Sequence, residues 1–262
     1  RGSHRRCHVK NLRRMINMLR EIIGLLSVLT ILPVKTHTSI PQIAKYTWLF
    51  PVMGAIIGLT GGALAALLQL IGLPPIIIAS LAYGFLIWFN GFHHLDGLID
   101  MGDALMAHGS PEDKIRIMKD ERIGTGGLGL FFIVAITTFT CLYSTPQNQL
   151  PHIIILGEVG AKMGLISSCI ISKPLDEGIG RHFIMEMDKK RFILSSILSF
   201  IISFLLLKHQ GMIGILASII GGLFIGAIAR KNFKYTTGDV LGASNEFNRM
   251  LTLIILVILG GV

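Results

Sequence analysis

Between Tyr46 and His93 the chain carries no Asp, Glu, Lys or Arg. A helix needs about 20 consecutive apolar residues to cross a bilayer, so this single stretch has room for two crossings. A soluble domain of this size needs more polar surface than the chain offers. Only 15% of its 262 residues are charged, against the ~25% usual for soluble domains, and the mean hydropathy is +0.67. In hydrocarbon every backbone N–H and C=O must be paired within its own segment. The expected fold is therefore an all-α, polytopic integral membrane helical bundle.

The apolar pattern predicts about seven spans, near 46–71, 74–93, 126–144, 151–172, 192–207, 210–229 and 249–262. Their connections alternate in kind. Those at 72–75, 145–150 and 208–210 are short and nearly uncharged, whereas 94–125, 173–191 and 230–248 are long and rich in both charge signs. Alternation puts every long connection on one face, and the concentration of Lys and Arg there predicts that this face, with any catalytic loops, is the cytoplasmic side of the cell membrane. The same distribution accounts for the net charge of +9 without a nucleic-acid partner, since the bases do not gather on one face of a soluble domain.

The segment from Met15 to Leu32 is long enough to cross, but Arg20 and Glu21 interrupt it. A crossing there would also put Lys35 and Lys45 outside. It is expected to be an interfacial or re-entrant helix. Residues 1–14 are read as a leader and basic segment, no cleavable signal peptide is expected, and residues 15–262 form a single membrane-embedded catalytic domain. Cys7, Cys141 and Cys169 are widely spaced and form no CxxC pair, so buried, inert thiols are expected.

Directly after the charge-free stretch comes "GFHHLDGLIDMGDAL". If 91–105 continues the preceding helix, Asp100 falls about 40° and Asp103 about 20° from Asp96, on opposite sides of it, so all three share one face. Unpaired carboxylates this close repel one another. A divalent cation relieves the repulsion, and oxygen ligands favour magnesium, calcium or manganese over zinc; a merely solvated helix end is the competing explanation. Downstream, "KIRIMKDERIGTGGLG" sets Lys114, Arg116, Lys119 and Arg122 before Gly124, Gly126, Gly127 and Gly129. Such a segment suits phosphate, although glycines also serve helix packing. Further acidic and basic groups lie in "SKPLDEGIGR" and "TTGDVLGASNEFNR", where Asp239 and Glu246 sit at i, i+7. Within the apolar span after Pro151, Glu158 and Lys162 at i, i+4 are either structural support or a pocket wall.

Together "FHHLDGLIDMGDAL", "IMKDERIGTGGLG", "SKPLDEGIG" and "TTGDVLGASNE" resemble, in order, the motifs of the cobalamin synthase (adenosylcobinamide-GDP ribazoletransferase) family. The resemblance runs from about Leu32 to Glu246. It implies a magnesium-dependent membrane enzyme that moves the adenosylcobinamide phosphate from adenosylcobinamide-GDP to a ribose hydroxyl of α-ribazole, or its 5′-phosphate, releasing GMP. Position by position it implies metal ligation by Asp96, Asp100 and Asp103, with Asp120 and Asp239 as further ligands. His94, Lys119 and Arg122 become catalytic candidates; Gly124, Gly126, Lys173, Arg181 and Gly238 become substrate-binding candidates. One departure is Lys173, where an arginine often precedes the proline; a lysine offers a point charge in place of a bidentate fork. The partners implied are the two substrates and membrane lipid, with self-association left open. The competing activities are a CDP-alcohol phosphotransferase, which also uses aspartates on membrane helices, and a cation transporter.

Overall fold

The computed structural model describes residues 2–33 and 38–260, with side chains from Met15 onward. Lys35 and the side chains of residues 1–14, Cys7 among them, lie outside the described residues. The chain forms α1 (Gly2–Leu29), α2 (Ile40–Ala44), α3 (Phe50–Leu70), α4 (Pro75–Phe89), α5 (His93–Met106), α6 (Pro111–Met118), α7 (Thr125–Ser144), α8 (Leu150–Ile170), α9 (Gly180–Glu186), α10 (Lys189–Phe233) and α11 (Gly238–Gly260). No strand occurs among the described residues. A lone bridge pairs Pro174 with Thr236.

The bundle is built around α8, in which every residue from Leu156 to Cys169 is buried. A helix apolar on nearly all sides needs neighbours all round, and α3, α10 and α11 supply them. Small residues set the spacing. A Cβ on Gly54 of α3 would lie 2.5 Å from the Glu158 carbonyl oxygen, and one on Gly58 would lie 2.6 Å from the Ile155 Cα.

Among the described residues five helices are long and apolar enough to cross a bilayer, and α4 with α5 makes a sixth candidate. The 45 residues of α10 are broken by non-helical backbone at Leu207 and Lys208. A Cβ on Gly211 would lie 2.5 Å from the Ser203 carbonyl oxygen, a contact that eight residues of straight helix, ~12 Å long, cannot make. α10 therefore folds back into two arms, 189–206 and 209–233, which cover the fifth and sixth expected spans. The amino-terminal helix is not among the candidate spans, although its Leu25 and Leu29 are buried against the core.

Two expectations change. α5 does not continue α4: Gly91 (φ 68°) and Phe92 (φ 60°) are left-handed, and the helices meet at 88°. The last helix begins at Gly238, not near 249, so "GDVLGASNEFNR" is helical and largely buried. Hydropathy misses it because Glu246 and Arg249 neutralise each other inside the bundle.

The two kinds of connection gather at opposite ends. Gln69 donates to the Gln147 carbonyl at 2.9 Å and Gln210 to that of Leu259 at 2.8 Å, joining the short turns and the carboxyl end. At the other end the Thr236 N–H donates to the Lys173 carbonyl at 2.8 Å, while Lys119 pairs with Glu177 at 2.7 Å and Lys234 with Glu112 at 3.1 Å.

Candidate active site

At the end that holds the long connections, α5 lies across the amino-terminal ends of α11 and α7. Its closeness to α11 depends on Gly97, where a Cβ would lie 2.6 Å from the Asp239 carbonyl oxygen. The neighbouring Asp96 is thereby brought beside Asp239. Both line a cleft of about 460 Å³, together with His93, His94, Gly238 and Gly242 on its polar side. The opposite side is apolar and comes from α1, α3, α8 and α9 through Leu29, Phe50, Leu165 and Phe183.

Asp100 sits one turn beyond Asp96, half-buried. The carboxylates of Asp96, Asp239 and Asp103 are its nearest charges. No ion pair among the described residues includes Asp96, Asp100 or Asp239. His94 is buried, and its Nδ1 has no hydrogen-bond partner.

The five aspartates singled out in the sequence do not form one group. Asp103 turns to α7, accepting the Gly124 and Gly127 N–H groups at 2.7 Å each, where a carboxylate also meets the positive end of the helix. The Gly124 amide proposed for phosphate is thus already occupied. Asp120 is held by Arg122, from Nη2 at 2.7 Å and Nε at 3.1 Å, and this lowers its pKa to about 2. Asp103, Asp120, Arg122, Gly124 and Gly126 line a second cleft, separate from that of His94. Asp96 and Asp103 are seven residues apart, ~10 Å along the helix, too far for one ion to bind both directly. Accordingly, no group of three or more His, Cys, Asp or Glu among the described residues is arranged to hold a metal.

That geometry still fits magnesium, which commonly keeps several waters and takes one or two carboxylates plus substrate phosphates in place of an all-protein cage. The donors present are oxygens, and Asp96, Asp100 and Asp239 carry negative charge that no side-chain cation neutralises through an ion pair. The remaining candidates lie around this end. Lys119 is engaged with Glu177, Arg181 donates to the Asp176 carbonyl at 3.0 Å, and Lys173 is exposed.

Below the polar side of the cleft lies a group the sequence only partly revealed. Glu158 and Lys162 of α8 meet Glu246 and Arg249 of α11, all four buried. Arg249 donates from Nε to Glu158 at 2.5 Å and from Nη1 to Glu246, while Lys162 donates to Asn245 at 2.8 Å and pairs with Glu158 at 3.8 Å. Leu165, one turn from Lys162, and Leu241, one turn from Asn245, both line the cleft, so the quartet lies about a helical turn behind its lining. Tyr83 Oη, Asn90 Oδ1, Glu158 Oε2 and Arg249 Nη2 are buried nearby without hydrogen-bond partners. Glu158 and Lys162 at i, i+4 were the visible signal; Arg249, 91 residues beyond Glu158, had none. Cys141 and Cys169 are buried free thiols, as expected.

The profile of the family described as cobalamin-5-phosphate synthase matches residues 21–257. Several proteins named adenosylcobinamide-GDP ribazoletransferase are similar to this chain. That of Methanosarcina barkeri is 32% identical over 238 residues, covering 84% of this chain and 85% of the relative. That of Thermococcus kodakarensis is 33% identical, covering 89% and 96%; that of Acetivibrio thermocellus is 30% identical, covering 90% and 97%. No solved structure matches the chain.

Proposed function

Because this chain belongs to the cobalamin-5-phosphate synthase family, and is thereby a transferase of cobalamin biosynthesis, we propose that it moves the adenosylcobinamide phosphate group from adenosylcobinamide-GDP to a ribose hydroxyl of α-ribazole, with GMP leaving. The observation that carries this reading is the meeting of Asp96, Asp100 and Asp239, free of any ion pair, where α5 crosses the start of α11. The CDP-alcohol phosphotransferase and cation-transporter readings give way to the family membership.

Phosphoryl transfer asks a protein mainly for positioning and charge neutralisation. Asp96 and Asp239, side by side on the cleft, would hold magnesium together with substrate phosphates, with Asp100 one turn away adding negative charge; the ion when bound would neutralise charge on the diphosphate. Asp103 holds the start of α7 against α5 and so keeps Asp100 in register. His94, which lines the cleft next to Asp96, is the residue placed to accept the proton of the attacking hydroxyl. Lys119 and Arg122, each paired with an acidic neighbour, are the cations for phosphate oxygens, with Lys173 and Arg181 beside them. The Gly238 backbone lines the cleft at the start of α11, and Gly126 serves the second cleft. The long-connection face, carrying all of these groups, is assigned to the cytoplasm, where charged nucleotides are available; the distribution of Lys and Arg supports it.

Purified protein in detergent, given adenosylcobinamide-GDP, α-ribazole and magnesium, should release GMP in step with formation of the joined product. GMP formation independent of α-ribazole, or none at all, would overturn the assignment.

A further inference from the structure

The cleft is divided by chemistry. One side offers His93, His94, Asp96 and Asp239; the other offers Val28, Leu29, Phe50, Leu165, Phe183 and Leu241. The second wall draws on five helices, and its aromatic corner is built in advance. Phe50 and Phe183 are 2% and 5% exposed, with ring centroids 5.5 Å apart and planes tilted by 51°. Among the described residues of this wall only Ser27 carries a hydrogen-bonding side chain.

Resting on the transfer reaction above, we propose that this wall seats the base of the acceptor nucleoside and selects flat aromatic bases that have no hydrogen-bonding edge. The acceptor has the same division as the cleft, a polar ribose joined to a methyl-bearing benzimidazole. With the base against Phe183 and Leu165, the ribose faces His94 and Asp96, the side where its hydroxyl must react. A volume of about 460 Å³ lies within the range of small-ligand sites and suits one nucleoside; a corrin ring with its side groups does not fit beside it. The corrinoid must then lie outside this cleft, with its phosphate reaching the carboxylates from the other side. Selectivity follows from what the wall lacks. Adenine on this wall buries an amino group and ring nitrogens against carbon, and polar groups left without partners are costly. A dimethylbenzimidazole presents methyl groups and ring carbons there and loses nothing.

The test compares acceptors and separates KM from kcat. Wild-type protein is assayed by GMP release with α-ribazole and with the α-riboside of adenine; Phe183→Ala and the more conservative Phe183→Leu are assayed alongside. The wild type should prefer α-ribazole by at least about tenfold in kcat/KM, within the range that pocket contacts supply. Phe183→Ala should raise the KM for α-ribazole about tenfold, leave the KM for adenosylcobinamide-GDP and kcat nearly unchanged, and shrink the preference. Phe183→Leu should fall between, so the series remains readable if the alanine variant does not fold. A rise in the donor KM alone would give this wall to the corrinoid or guanosine and overturn the proposal. Equal use of the two acceptors by wild type, or a fall in kcat with both KM values unchanged, would also overturn it. Absence of wild-type GMP release with α-ribazole is a different result, which removes the transfer reaction itself.

Discussion

Two sets of carboxylates, with α11 in common, are treated in opposite ways. Glu158 and Glu246 lie in the bundle interior, and Arg249 donates to both of them. Asp96, Asp100 and Asp239 lie at the bundle's edge, beside a cleft, and no ion pair reaches them. Asp239 and Glu246 share α11, two turns apart. The contrast follows from the solvent at each depth. In the interior a charge persists only beside its counter-charge, because nothing else can solvate it. At the edge water reaches the side chains, so repulsion among carboxylates can be left unrelieved until a cation and a diphosphate arrive together. Uncompensated charge thus marks the site, and compensated charge marks the frame beneath it.

The largest effect that would break this contrast is on the frame. Arg249→Met leaves Glu158 and Glu246 sharing only Lys162, and breaking a buried pair this way costs about 3–5 kcal/mol. Thermal unfolding in detergent should show a collapse of stability, partly recovered when Glu158→Gln and Glu246→Gln are added. An unchanged melting temperature in the single variant would mean the quartet is not a unit. At the edge the expected pattern is reversed. Asp96→Asn should lower GMP release by about a hundredfold or more, as losing a charge-stabilising group commonly does, with the melting temperature held. Normal turnover at limiting magnesium would remove Asp96 from the site.

A smaller effect sharpens the comparison through charge. Asp96, Asp239 and Asp103 surround Asp100 with like charge, and unpaired carboxylates this close repel one another. With chelator present, Asp100→Asn should therefore raise the melting temperature while abolishing activity. A variant stabilised yet inactive would show that the edge gives up stability for function. An unchanged melting temperature would place the repulsion elsewhere.

The sequence exposed these regions unequally, for physical reasons. Bilayer thickness fixes the length of each apolar run, so the spans around α3, α7 and α8 were legible, as was the gathering of long connections at one end. The α4–α5 corner was not, because Phe92 adopts a left-handed backbone (φ 60°) that no residue pattern announces. The helical start of α11 was hidden by the charges of Glu246 and Arg249, which a hydropathy reading scores as solvated. Asp96, Asp100 and Asp103 were recognisable as one face of a helix, but spacing gives angle and not destination. The ~10 Å from Asp96 to Asp103 sends the first to α11 and the last to the α7 amides. The apolar wall of the cleft left no trace, since Leu29 belongs to the amino-terminal helix, Leu165 to a span and Phe183 to a charged connection, and no spacing relates them until three helices bring them together.

The smallest expected effect concerns Arg122, which stands between the two regimes. Like Arg249 it grips a carboxylate with its fork, yet its side chain is 88% exposed. An exposed pair of this kind contributes little to folding, so Arg122→Lys should leave the melting temperature where it was. If the pair is only a surface contact, turnover should be unchanged as well. If Arg122 leaves Asp120 for the substrate's phosphate, lysine supplies the charge without the planar fork, and kcat/KM should fall about tenfold. The proposed role requires the second result, and Asp120→Asn provides the control. Freeing the guanidinium from its neighbour should leave turnover intact or raise it modestly, because the arginine then has no carboxylate to abandon. A large loss in Asp120→Asn together with none in Arg122→Lys would reverse the assignment, making the carboxylate the working group of the second cleft and the arginine its support.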